Sequence, residues 1–237
     1  MTQNQFVNRE ISWLDFNARV LQEAQDENVP LIERLRFIGI FSNNLDEFYK
    51  VRYATVKRIA RLEEAKNKVF GDRPAEVLLK EITSKTIALQ NQSLETLNNL
   101  HVALEQENIF ILKEDQINEE QQRFINIYFS QEVEPSLVTL MLNNIQSISK
   151  IKDSNAFLAI RMVLDAKKHP FLDPIQFALI EIPSSLKRFV VLPSKAGKTQ
   201  LMLLDDLIRT QLSTIFDVFQ HNSIEAHMVK FSRDAEL

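Results

Sequence analysis

From Pro30 to about Lys66 the chain sustains one helical hydrophobic period with no internal proline, and that length constrains everything packed against it. Leu31, Leu35, Ile38 and Leu45 mark a stripe at the 3.6-residue period, and Phe37, Ile40, Phe41, Phe48 and Val51 widen it. At about 1.5 Å per residue such a helix is roughly 55 Å long and needs long partners. Phe70-Gly71-Asp72-Arg73-Pro74 supplies a break, and Val77, Leu78, Ile82, Leu89, Leu97, Leu100 and Leu104 carry a returning stripe to about Glu107. The two runs predict an antiparallel helical hairpin.

A shorter helix precedes them and ends near Gln25. Ser12 is the expected N-cap, with Asp15 as its capping-box partner and Ile11 and Phe16 as the flanking hydrophobic staple. Val29-Pro30 restarts the chain, since proline suits a first helical turn. Trp13, Phe16, Phe37 and Phe41 are expected in the core of the resulting three-helix bundle.

Past Asn108 the pattern changes, which places a domain boundary between Glu107 and Glu114 and divides the chain into 1–108 and 109–237. A helix with Ile117, Phe124, Ile127 and Tyr128 comes first, and a short helical piece is expected near Pro135 to Leu142. Strands are predicted at Phe157 to Leu164, Phe177 to Ile182, Arg188 to Leu192 and Ala226 to Phe231, with a helical pattern from Met202 to Phe219. The fold class is therefore α+β: an antiparallel three-helix bundle followed by a mixed α+β domain.

Within the long helix, Asn44 occupies a face where an apolar side chain is expected, beside Ile40, Phe41, Phe48 and Val51. A buried amide without partners costs roughly 1 to 3 kcal/mol. Its partners are either a neighbouring helix or buried water, or the polar edge of a planar ligand such as a nucleobase. Asp46 and Glu47 are no acid–base pair, because adjacent helical positions diverge by about 100°. Asp46 stands at ion-pair spacing from Lys50.

Three groups of residues carry a family resemblance. Asn8 to Leu21, Pro30 to Phe37 and Ser42 to Arg52 resemble the amino-terminal end of the long-chain polyphosphate kinases. Ala178 to Pro183, Arg188 to Pro193 and Arg233 to Glu236 resemble that family's middle domain, in the same order. The resemblance implies a piece of an enzyme that moves the terminal phosphate of ATP reversibly onto polyphosphate through a phosphohistidine. That histidine, the catalytic residues and the Mg²⁺ ligands belong to a carboxy-terminal half not represented here, and no metal ligand is assigned within these residues. Asn44 matches the second asparagine of the family's Ser-Asn-Asn-Leu-Asp-Glu-Phe motif and so is implied to line the adenine side of the ATP site. Also implied are ADP as co-product, oligomer contacts through the middle domain, and a cytoplasmic location that includes peripheral attachment to the inner membrane. A helical interaction module without nucleotide contact is the alternative reading.

Composition narrows the remaining classes. Zero cysteines among 237 residues exclude a disulfide framework, and a net charge of −4 argues against nonspecific nucleic-acid binding. Met1 to Gln5 lack the basic and apolar regions of a signal peptide, and no run approaches a membrane span of about 18 apolar residues. Between Lys50 and Lys68 the charge is basic, with Lys50, Arg52, Lys57, Arg58, Arg61, Lys66 and Lys68 against Glu63 and Glu64. These form either the solvated face of a helix or a guide for a polyanion. Gly197-Lys198-Thr199 only imitates the end of a phosphate-binding loop, because Leu192 stands where the earlier glycine is required. Asn91-Gln92-Ser93 is an incidental sequon in a helix, and His101, His169, His221 and His227 lack the spacing of a zinc site.

Overall fold

The computed structural model describes residues 7–61, 69–70, 73–143, 151, 153 and 155–233. They fall into two compact units: one runs Glu107–Phe231, and the other comprises what precedes it together with the last few residues.

The first unit is the expected bundle. Helix α1 runs Arg9–Gln25, and α2 runs Leu31–Glu47. The chain continues as a π-helical segment, Phe48–Tyr53, into α3, Ala54–Arg61. The backbone stays helical through both junctions, so α2 to α3 is one rod of about 46 Å. The end expected near Lys66 lies outside the described residues. Strands β1 (Val69–Phe70) and β2 (Arg73–Pro74) pair antiparallel and turn the chain into α4, Ala75–Gln106. Lys85 of α4 bonds Asp15, and Gln25 donates to Thr96 at 3.0 Å, so α1 and α4 run in the same direction. The α2–α3 rod runs against both.

Two local expectations fail at the start of α1. Asn8, not Ser12, is the N-cap: its side chain accepts from the backbone N–H groups of Glu10 and Ile11. The helix begins four residues earlier because Arg9 to Ile11 sustain it once Asn8 supplies the cap, and Asp15 is then free to pair with Lys85. Phe16 is 57% exposed, so it forms no staple and no core. The bundle core instead gathers Leu14, Leu21, Phe41, Leu45, Phe48, Val56, Leu78 and Ile82, with Trp13 and Phe37 partly buried against it.

The second unit opens with β3, Ile109–Leu112, and α5, Glu119–Tyr128, whose N-terminus carries a reciprocal Asn118–Gln121 capping box. The expected helical piece near Pro135 is one 3-10 turn, Glu134–Ser136, followed by strand β4, Val138–Met141. Leu137 leaves the helical region at ψ 136°, and β4 finds its ladder on β6. The remaining strands are β5 (Ala156–Leu164), β6 (Ile175–Glu181), β7 (Phe189–Leu192), β8 (Thr199–Leu203) and β9 (His221–Lys230). The pattern expected to be helical from Met202 onward divides between the end of β8 and helices α6, Leu204–Thr210, and α7, Leu212–Ile215.

One antiparallel sheet has the order β4-β6-β5-β9; a second has the order β3-β8-β7, with β3 parallel to β8. Leu158, Ile160, Met162 and Leu164 alternate along β5 and share a core with Ile125, Phe129, Met202, Leu207 and Phe216. Gly197, at φ 83°, makes the turn between β7 and β8.

Candidate functional site

The interface between α1 and the rod of α2, the π-helical segment and α3 presents three successive cross-helix contacts, each about one turn from the last. Asn44 donates its Nδ2 to Asn17 Oδ1 at 3.0 Å. The Trp13 and Phe48 rings stack with centroids 5.0 Å apart. Arg52 Nη1 lies 3.8 Å from Glu10 Oε1, with both side chains mostly buried. Residues 10, 13 and 17 share one face of α1, and 44, 48 and 52 share the opposing face of the rod, so the antiparallel crossing brings them together in reverse order.

Asn17 is fully buried and donates its own Nδ2 to the Phe41 carbonyl at 3.1 Å. Asn44 is half-buried. Among the described residues the Asn44 amide makes no further hydrogen bond, which leaves its carbonyl oxygen and one N–H for solvent or a ligand. Directly beyond Asn44 the Phe48 N–H is shared between the Asn44 and Leu45 carbonyls, and the wider π-helical segment Phe48–Tyr53 begins there.

Two clefts flank this interface. One, of about 430 Å³, is lined by Arg9, Glu10, Trp13, Glu47, Phe48 and Arg52 among others. The other, of about 300 Å³ between α2 and α4, is lined by Phe41, Leu45, Asp46, Tyr49, Leu94 and Leu97 among others. Asp46 and Glu47 thus face different clefts. Asn44 lines neither and sits one turn above the first.

Comparison with known proteins matches residues 6–112 to the polyphosphate kinase N-terminal domain and residues 120–237 to the polyphosphate kinase middle domain. The chain belongs to the polyphosphate kinase family. It is 41% identical over 237 residues to the polyphosphate kinase of Vibrio cholerae, covering 98% of this chain and 32% of the relative. It is 36% identical over 236 residues to that of Escherichia coli, covering 98% and 33%. The crystal structure of polyphosphate kinase from Porphyromonas gingivalis matches all of this chain at a TM-score of 0.82 with 26% identity, over 34% of that structure's chain. The chain therefore spans about a third of the length of the curated relatives it matches.

Sequence reasoning about this polyphosphate kinase chain singled out Asn44 and passed over Asn17. The signal was present: Leu14, Asn17, Leu21 and Ala24 form the buried stripe of α1, and Asn17 is its polar interruption. Within the basic stretch, Arg52 is paired with Glu10, and the Lys57 ammonium lies 5.8 Å from the Tyr53 ring centroid; Lys66 and Lys68 lie outside the described residues. Lys198 follows the turn glycine, 5.1 Å from the Phe110 ring centroid. His169 accepts from the Gln220 N–H at 3.1 Å, and His221 Nδ1 lies 2.7 Å from the Phe219 carbonyl. Both histidines hold turns.

The second unit contains a cleft of about 560 Å³ whose lining includes Glu114, Arg209, Ser213, Glu225 and His227. Arg209 Nη1 donates to the Ala226 carbonyl, while its Nε lies 3.6 Å from Glu114 and 3.7 Å from Asp206. Burial raises the Asp206 carboxyl above the ordinary aspartate range, and the charges of Asp205 and Glu114 raise it further. No helix among the described residues is long and apolar enough to cross a membrane.

Proposed function

We propose that this chain forms the amino-terminal helical and middle regions of an enzyme that reversibly transfers the terminal phosphate of ATP to inorganic polyphosphate through a phosphohistidine. In this reading the helical unit walls the adenine side of the nucleotide site, and the middle unit contributes to a homo-oligomer. The phosphohistidine lies in the part of the relatives that this chain does not span. In this reading the Mg²⁺ ligands lie in that same part. The protein acts in the cytoplasm, with peripheral membrane attachment as a variant of that location.

The observation that supports the nucleotide role is the Asn44 amide. Its free oxygen and remaining N–H form a donor–acceptor edge, and an asparagine amide pairs bidentately with the edge of adenine. A ring of this kind needs no charge from the protein.

The second reading, a helical interaction module, draws on the bond from Asn44 to Asn17, which satisfies one Asn44 donor internally. Asn44→Ala in the full-length protein separates the two. Loss of ligand hydrogen bonds raises the KM for ATP by about 3- to 10-fold with kcat largely kept. An unchanged KM in a folded variant with a lowered Tm would leave Asn44 a structural residue and the module reading standing.

A further inference from the structure

We infer that Asn17 is a positioning residue for base recognition, fixing which way the Asn44 amide faces; this rests on the proposed nucleotide role of Asn44. Asn17 is 0% exposed in the middle of an otherwise apolar stripe, and two hydrogen bonds define its orientation. Its Nδ2 is committed to the Phe41 carbonyl, a backbone acceptor that cannot turn or change polarity. Its Oδ1 is thereby turned toward Asn44 and accepts from Nδ2 there.

Each alternative orientation sets two acceptors face to face. Flipping Asn17 opposes its oxygen to the Phe41 carbonyl, and flipping Asn44 opposes two amide oxygens. At the fully buried Asn17 water does not relieve that repulsion, and at half-buried Asn44 a flip forfeits the bond to Asn17 and sets two oxygens together. The polarity therefore propagates from the α2 backbone through Asn17 to Asn44, and leaves the Asn44 oxygen outside the pair. An outward amide oxygen accepts from an exocyclic amine, so the nucleobase class this arrangement selects is one carrying an amine on the edge it presents, as adenine does.

Asn17 is not placed to touch the nucleotide itself. Its effect passes through Asn44, so the two residues must fail to act independently. Asn17→Leu is the informative variant. Leucine has a similar volume and suits the stripe of Leu14 and Leu21, and the Phe41 carbonyl lies inside α2, whose backbone ladder supplies a donor of its own.

The test measures kcat/KM for ATP and for purine riboside triphosphate, which lacks the amine, in the full-length protein. The wild type, Asn44→Ala, Asn17→Leu and the double variant are compared, with Tm recorded for each. Asn17→Ser, too short to reach both partners, is run beside Asn17→Leu in case the latter does not fold. The wild type is expected to prefer ATP by about tenfold, the worth of a hydrogen bond to the amine. Asn17→Leu or Asn17→Ser brings that preference to within about twofold, and the double variant matches Asn44→Ala alone. A folded Asn17 variant that keeps the ATP preference, or whose loss multiplies with that of Asn44→Ala, overturns the positioning role. If Asn44→Ala itself leaves KM and preference unchanged, the nucleotide reading falls and the inference with it.

Discussion

Phe48 and Phe16 are both aromatic residues of the helical bundle, and replacing each with alanine gives a sharp test of how α1 and α2 face one another. Phe48 is 1% exposed, stacks on Trp13 at 5.0 Å and packs in the core with Leu14, Leu45 and Val56. A buried Phe→Ala change costs about 3 to 5 kcal/mol, through lost transfer energy and the cavity left behind. Phe16 is 57% exposed. A phenylalanine gains about 1.5 to 3 kcal/mol on full burial, so less than half of that, about 1 kcal/mol, is at stake at Phe16. Urea unfolding followed by fluorescence reads this directly, because Trp13 is the single tryptophan of the 237 residues and lies in the interface concerned. With a slope of about 2 kcal/mol per molar urea, Phe48→Ala should lower the midpoint by about 2 M and Phe16→Ala by about 0.5 M. Equal losses, or a larger loss at Phe16, would mean that α1 is rotated about its axis. Trp13, Asn17 and Glu10 would then not share the face that meets α2.

Two further perturbations address backbone and charge. Gly197→Ala should destabilise by about 1 kcal/mol, because its φ of 83° penalises any Cβ although nothing lies within 4 Å. Gly39→Ala, exposed inside α2 with equally open space, should stabilise by up to about 1 kcal/mol, and thermal melts of both variants check the opposite signs. Asp206 titrates above the ordinary value of 3.8 in the folded protein, chiefly through burial and then through Asp205 and Glu114. The fold binds that proton more tightly than the unfolded chain does. Its contribution to stability is therefore present below the ordinary value and is lost as pH rises through the folded value. Asp206→Asn should be more stable than the parent at neutral pH, with a flatter pH dependence above the ordinary value of 3.8 in denaturant titrations; a less stable variant at neutral pH refutes the reading.

The helical bundle was legible because its signals are local. A 3.6-residue period, a proline at a helix start and a glycine–proline break act through neighbours in sequence, and they gave the three helices and their order. The cap of α1 was misread for the same reason: Asn8 and Ser12 are comparable caps by type, and the lever that favours the longer helix includes contacts of Asp15 with Lys85 and Glu10 with Arg52, 70 and 42 residues away. The stretch Val138–Met141 is a short apolar run that fits a helix or a strand equally well, and its pairing with β6 decides the matter. Strand β3 was missed outright, since four residues carry little periodicity and its partner β8 lies about 90 positions further on.

By itself the sequence determined the α+β class, the helical rod and its returning partner, the family, and the anomaly of an amide at Asn44. These follow from side-chain period, chain-breaking residues and motif order, which are properties of the chain before it folds. Tertiary structure alone decided what surrounds that amide. Asn17 lies 27 residues from Asn44, and only the antiparallel crossing of α1 and α2 sets them 3.0 Å apart with Trp13 on Phe48 and Glu10 near Arg52. Hydrogen-bond polarity is a relation between two groups in space, so the direction in which Asn44 presents its oxygen exists only once both helices are packed.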